Sequence, residues 1–212
     1  MRACIETDRL ILKNILPENY KEMFKWCGDP EVARYMIYPV YTNEIDCKTY
    51  IESLRPDDPD ICDLGIFLKE SGEAIGMGGF TYHPDEDVWE VGYNLRQDMW
   101  GKGIVPEAML AVLKHIQRIR EVKTITGTYA KENNKSKRVM EKLGMTYWYD
   151  CEFTKLDGTV FGNGQCFQRK VGNRTGDSSR EEQCCCQDDD CDEELDSADK
   201  GDCFPENDFA LC

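Results

Sequence analysis

The sequence is short of positive charge. Lys and Arg number 26 against 41 Asp and Glu, a formal net charge of −15. Nucleic-acid binding draws its affinity from basic side chains at phosphates, so this balance argues against that class. A cationic substrate such as an amine suits the charge, as does an ordinary acidic soluble protein. Also missing is any apolar run of the ~18 residues that a membrane-spanning helix needs, so no membrane partner is expected. The opening Met1-Arg2-Ala3-Cys4-Ile5-Glu6 is too polar for a signal peptide, which points to a cytoplasmic protein with reduced thiols. Histidines number only two. His83 falls in a turn and His115 on a helix; neither has a nameable partner, so histidine catalysis is not expected. Twelve cysteines are present, but no Cys-x-x-Cys pair occurs among them, and no metal is expected to be required.

The chain is made of two materials. Residues 172–212 contain 14 acidic and 3 basic residues, with few large apolar side chains and little periodicity. Such a segment cannot offset its ordering entropy by burial, so it is expected to be a disordered acidic tail. Cys184-Cys185-Cys186 and Cys191 lie there among carboxylates; they suit either a soft metal or redox role or a solvated tail. Asn173-Arg174-Thr175 is a glycosylation sequon only in a secreted chain. Residues 5–171 read as one domain. Cys4, Cys27, Cys47, Cys62, Cys151 and Cys166 are scattered through residues 1–171 and read mostly as small buried hydrophobes.

Within the domain the pattern is mixed α/β. Arg9 to Ile15 reads as a strand. Pro17 opens a helix with Tyr20, Met23, Phe24 and Cys27 at helical spacing, ended by Gly28. Asp29-Pro30 starts a short helix to about Met36, and Thr42 or Asn43 caps a third with Cys47, Tyr50, Ile51 and Leu54 on one face. Strands over 61–69, 74–82 and 88–95 form an antiparallel meander. Gly76-Met77-Gly78-Gly79 is not a dinucleotide loop, because it sits inside a strand and opens no helix; it marks a bulge or close packing. A helix from Val105 to about Arg118 carries Met109, Val112, Leu113 and Ile116 at i, i+3, i+4, i+7. A strand over 122–130, a helix ending at Gly144, and a hairpin turning at Leu156-Asp157-Gly158 complete the domain.

The most informative stretch is Asp98-Met99-Trp100-Gly101-Lys102-Gly103-Ile104-Val105-Pro106-Glu107. It joins the strand 88–95 to the helix from Val105. Glycines let backbone N–H groups approach an anion closely, and a helix N-terminus favours negative charge. Pro106 sits in the first turn, where its missing N–H costs nothing. A Gly-x-Gly turn alone is also the commonest way to reverse a chain, and Lys102 either adds charge or points to solvent. Taken together, Trp-Gly-Lys-Gly-x-x-x-Glu-Ala after Glu-x-Gly-Tyr resembles the acetyl-CoA loop of the GNAT N-acetyltransferase superfamily, and is most similar to its RimJ/RimL-like branch. Asp98 departs from the superfamily pattern, which has Gln or Arg there. Thr7-Asp8-Arg9-Leu10 and Asp29-Pro30-Glu31-Val32 also resemble that branch. So does Asn133-Asn134-Lys135-Ser136 followed by Val139 and Lys142-Leu143-Gly144-Met145.

The resemblance implies a single domain with a central, mostly antiparallel sheet flanked by helices. Two of its strands, 88–95 and 122–130, are expected to splay apart, with CoA entering the gap. It implies that Trp100, Gly101, Lys102, Gly103, Ile104 and Val105 grip the pyrophosphate through backbone N–H groups. Tyr93, Asn94 and Leu95 would lie beside pantetheine as a pseudo-strand. Asn133 would contact CoA and Ser136 would lie near the sulfur and protonate the thiolate. Read without the family, Asn133 is a helix cap and Ser136 a first-turn residue. Many superfamily members carry a tyrosine where this chain has Met140. Glu90, on the strand beside the gap, is the candidate base or else an ion-paired strand glutamate; Glu107 is an alternative that suits the helix N-terminus by charge.

The expected function is transfer of an acetyl group from acetyl-CoA to a primary amine by direct attack in a ternary complex. The acceptor is a protein N-terminal amine or a small-molecule amine, and the chain a monomer or homodimer. Two other readings stand beside it: a catalytically silent CoA-binding module, and a metal- or thiol-handling protein acting through the tail.

Overall fold

The computed structural model describes residues 1–171 apart from Asp157 and Thr159. The tail, its cysteines and the sequon lie outside the described residues, as does Asp157 of the hairpin turn. Eight strands form one sheet in the order β1-β2-β3-β4-β5-β6-β8-β7. They are β1 (Cys4–Glu6), β2 (Leu10–Lys13), β3 (Ile61–Leu68), β4 (Ala74–His83), β5 (Val88–Leu95), β6 (Thr124–Ala130), β7 (Thr146–Thr154) and β8 (Val160–Lys170). Every neighbouring pair is antiparallel except β5 with β6. Helices α1 (Tyr20–Cys27), α2 (Pro30–Ala33) and α3 (Glu44–Ser53) separate β2 from β3; α4 (Ile104–Ile119) follows β5, and α5 (Asn134–Lys142) follows β6.

The alternation of β5 explains the layering. Trp89, Val91, Tyr93 and Leu95 join the core under α4, where Met109, Val112, Leu113 and Ile116 form the buried stripe. Removing each such side chain from water contributes roughly 1.5–3 kcal/mol. On the opposite face a second cluster joins Met23, Trp26 and Cys27 of α1, Cys47 and Ile51 of α3, and Phe67 and Met77 of the sheet. Helix ends follow local chemistry. Asn43 caps α3 by accepting from the Ile45 N–H at 3.0 Å, and Asp29 caps α2 by accepting from Glu31 at 2.9 Å.

Three local details differ from the sequence pattern. β1 is an additional strand of three residues, formed by pairing Cys4 with Lys13 and Ile5 with Leu12; so short a segment has no periodicity of its own. α2 stops at Ala33, yet Met36 and Ile37 beyond it are buried. β6 begins at Thr124. The glycine run of β4 combines both expected causes. Ile66 pairs with Gly76 but Phe67 with Ala74, so Ile75 is an extra, bulged residue. A Cβ on Gly79 would lie 1.8 Å from the Cys62 carbonyl oxygen, so only glycine lets β3 and β4 approach there.

The functional gap follows from the parallel pair. β5 and β6 pair only at Trp89 with Ile125 and Glu90 with Thr126. Beyond that point β5 stays with β4 through Leu95, and β6 stays with β8 through Ala130. Residues 91–95 and 127–130 therefore each have one unpaired edge facing the other strand. The β7–β8 hairpin reaches back over the α1–α3 face: Leu156 N donates to Ile37 O at 2.7 Å and Lys155 Nζ to Ala33 O at 3.1 Å.

Candidate active site

At the open end of the gap β5 runs into the glycine loop. Gly101 and Gly103 both adopt left-handed conformations, φ 76° and 75°, which an L side chain resists. Around Gly101 there is empty space, so its requirement is conformational and not steric. Gly103 is the N-cap of α4 and supplies no side-chain acceptor to the first turn. The Ile104 and Val105 side chains are buried in the core, leaving only their backbone N–H groups for a ligand. A sixteen-residue helix dipole stands behind them.

The loop is braced from four directions. Trp100 Nε1 donates to Leu95 O at 2.8 Å, and Lys135 of α5 lies 3.6 Å from the centre of the Trp100 ring. Arg9 donates to Lys102 O at 3.0 Å and, from Nε and Nη2, to the single Glu107 oxygen Oε2 at 2.8 and 2.5 Å. Thr7 Oγ1 donates to the same carboxylate at 2.5 Å. Burial pushes the Glu107 carboxyl up, but Thr7 and Arg9 outweigh it and hold it below the ordinary range. Glu107 is thus a tied structural anion, not a base. Asp98 is paired with Arg96 at 2.6 Å, and Arg96 also reaches Glu73 at 2.7 Å. The departure at this position therefore brings its own counter-charge. Lys102 is exposed.

Across the gap, Tyr93 of β5 meets Ser136 of α5. Their hydroxyls are 2.7 Å apart, and the Tyr93 hydroxyl lies 3.2 Å from the Ser136 carbonyl oxygen. Asn133 accepts from the Ser136 N–H at 3.2 Å, so it does cap α5. Ser136 is buried, as is Met140 within the core. The sequence names Tyr93 and Ser136 separately, without joining them; they come from elements 43 residues apart. Asn94, beside Tyr93, is buried and its Oδ1 has no hydrogen-bond partner.

The other face of β5 presents Glu90, Gly92 and Asn94. Glu90 Oε2 lies 3.0 Å from His83 Nε2. Side-chain exposure falls from 32% at His83 to 16% at Glu90, so the pair leads from solvent to the edge of the gap. The partner of His83, invisible in the sequence, is therefore the candidate base, seven residues along the β4–β5 hairpin. His115 is elsewhere, half-buried on α4, where burial and then Arg118 hold it below its usual value. Cys151 and Cys166 were expected as plain core residues. Cys166 is buried in the core and Cys151 half-buried, and Cys166 of β8 pairs with Thr128 of β6. Burial pushes both thiols up, which keeps them protonated. Among the described residues, no group of three or more His, Cys, Asp or Glu could hold a metal ion. Nor is any helix long and apolar enough to cross a membrane.

The arrangement can bind an extended anionic ligand along an open strand edge and a helix N-terminus, with a carboxylate on one side and a hydroxyl pair on the other. Known proteins share parts of this sequence and its fold. The sequence profile of the family described as "Acetyltransferase (GNAT) domain" matches residues 9–146. The uncharacterized N-acetyltransferase YnaD of Bacillus subtilis is 26% identical over 141 residues, 66% of this chain and 81% of that protein. The [ribosomal protein uS5]-alanine N-acetyltransferase of Escherichia coli is 27% identical over 98 residues, 45% of this chain and half of that protein. Among solved structures, the microcin C7 self-immunity acetyltransferase MccE, in complex with acetyl-CoA and AMP, superposes with a TM-score of 0.68 at 18% identity. That match covers 78% of this chain and 94% of the other, and at that identity it shows the fold.

Proposed function

The chain belongs to the GNAT acetyltransferase family, and from that premise we propose that it moves an acetyl group from acetyl-CoA to a primary amine by direct attack in a ternary complex. The single observation that carries this reading is the gap between β5 and β6 after two paired residues, opening onto the Gly101–Gly103 turn. Bound there, acetyl-CoA supplies the acetyl group as a thioester. The backbone N–H groups of the loop and of the first turn of α4 hold its pyrophosphate, and residues 93–95 offer the free strand edge to pantetheine.

The chemistry then divides between the two faces. The amine nitrogen forms the new C–N bond as the C–S bond breaks. Glu90 takes the amine proton, directly or through one water, and His83 offers the route onward to solvent. Ser136, with Tyr93 behind it, returns a proton to the departing sulfur, so that an amide and a free thiol leave. A covalent acetyl-cysteine route would need a thiolate, and the protonated states of Cys151 and Cys166 favour direct attack. An α-amine, of ordinary pKa about 7.7–8.0, needs less help from Glu90 than a lysine amine at about 10.4. The relative named for the alanine of ribosomal protein uS5 keeps protein N-terminal amines among the acceptors.

The test is thermal stability with and without acetyl-CoA, in the wild type and in Gly101→Glu/Gly103→Glu. At about 100 times Kd, binding adds roughly 2.7 kcal/mol. A shift that disappears in the folded double variant supports the reading. A well-folded wild type with no shift overturns it.

A further inference from the structure

Paired residues of antiparallel strands share a face of the sheet. On the face opposite α4, Asp63 pairs with Gly79 and Gly79 with Gly92. In the next rung Thr81 pairs with Glu90, and Glu90 with Thr126; in the rung on the other side Met77 pairs with Asn94. The two neighbouring glycines leave a patch of bare backbone beside the gap, with Asp63, Glu90 and Asn94 around it. Two of these three hold a buried Oδ1 without a hydrogen-bond partner, Asp63 and Asn94. Asn94 is 4% exposed. An unsatisfied buried acceptor costs about 1–3 kcal/mol, and more when charged. Two on one patch mark a surface short of donors. An ammonium or guanidinium is made of donors.

Asp63 is the charged member with least internal support. Burial pushes its carboxyl up to about 7, against the opposing pull of the Met1 ammonium and the Leu64 N–H. The Met1 ammonium is bonded elsewhere, to the carbonyl oxygens of Asp58 and Ile61. Tyr50 of α3 lies within electrostatic reach of Asp63: burial first, and then that carboxylate, push its phenol up. Glu90, by contrast, already has His83.

We propose that Asp63 selects the acceptor by binding a second cationic nitrogen while the reacting amine sits at Glu90. The preferred acceptor is then a primary amine that carries another ammonium or guanidinium group. This rests on the transferase reading only for which nitrogen is acetylated. Strand spacing of about 4.8 Å and a rise of about 3.4 Å per residue place the Asp63 and Glu90 Cα atoms roughly 12 Å apart. Side chains reaching inward shorten that to a span suited to a diamine of several methylenes.

The experiment measures binding, not turnover, by titration calorimetry on the full chain saturated with CoA. The ligands are 1,6-diaminohexane and 6-amino-1-hexanol, which differ only in the second charge. The wild type binds the diamine about tenfold or more tightly than the amino alcohol. Asp63→Asn, isosteric with the protonated acid, removes that preference and leaves amino-alcohol affinity and the CoA-dependent thermal shift unchanged. Equal affinity for the two ligands in the wild type overturns the proposal without needing any variant. So does a diamine preference that survives Asp63→Asn. Loss of acetyl transfer with the Asp63-dependent preference intact counts against the transferase reading and supports the binding site.

Discussion

On one face of the sheet, α4 sets Met109, Val112, Leu113 and Ile116 into Leu64, Ile66, Val91 and Tyr93, all in one apolar cluster. On the other face, the middle of the same strands presents Asp63, Gly79, Gly92, Glu90 and Asn94, and leaves two buried oxygens without donors. The first face is packed almost wholly with apolar side chains, Trp89 Nε1 being its one buried polar atom without a partner among the described residues. The second holds bare backbone and underserved acceptors, which lower stability unless something binds. The two carboxylates nearest the ligand surfaces show the same contrast. Glu107, beside the loop, has Thr7 on one oxygen and two Arg9 nitrogens on the other. Asp63, on the face opposite α4, has a buried oxygen with no donor.

The largest expected effect is on rate. Glu90→Gln lowers kcat/KM by about 10²–10⁴-fold at neutral pH. The deficit shrinks as pH rises and more of the amine is already neutral. Steady-state rates across pH check this, and a flat, wild-type-like profile removes Glu90 as the base. Next is Gly79→Ala, which places a methyl 1.8 Å from the Cys62 carbonyl oxygen. It should cost about 3 kcal/mol or more in urea unfolding, because backbone cannot yield as a flexible side chain does.

The two carboxylates should respond to pH in opposite directions. Asp63, near 7 when folded and near 4 when unfolded, contributes stability that is full below about pH 4. That contribution is lost as pH rises to about 7, because the folded state keeps a proton the unfolded chain has released. Glu107 is held low, so its contribution is full above the ordinary carboxylate range and lost as pH falls through its folded value. Asp63→Asn should therefore flatten the decline between pH 4 and 7, by about 4 kcal/mol at most, and Glu107→Gln should reduce the loss of stability in acid. Unfolding midpoints across pH read both; slopes of the same sign would contradict the comparison. The smallest effect is Tyr93→Phe, which removes the hydroxyl facing Ser136. Expected are a loss of about 1 kcal/mol in stability and a lower kcat, with acetyl-CoA binding retained.

Much of the α4 face can be read from the chain because its causes are local. Met109, Val112, Leu113 and Ile116 announce a helix stripe by spacing, and Trp89, Val91, Tyr93 and Leu95 a strand face by alternation. Gly28, Asn43 and Gly144 end or start helices for reasons confined to a few residues. The loop is legible for the same reason: Gly101 and Gly103 differ from other residues in what their own backbone permits. The face opposite α4 is not legible in this way. Glu90 alone is a polar position in a strand, and His83 alone a turn residue; only the β4–β5 register makes them neighbours.

Residue types and spacing were enough to decide the order of the longer elements, the long apolar helix and the glycine turn that opens it, since each depends on dihedral preference or one element's periodicity. Which polar groups face one another was decided by strand register and by the parting of β5 from β6. Those are settled by the summed packing of distant segments, and no short stretch of the chain contains them.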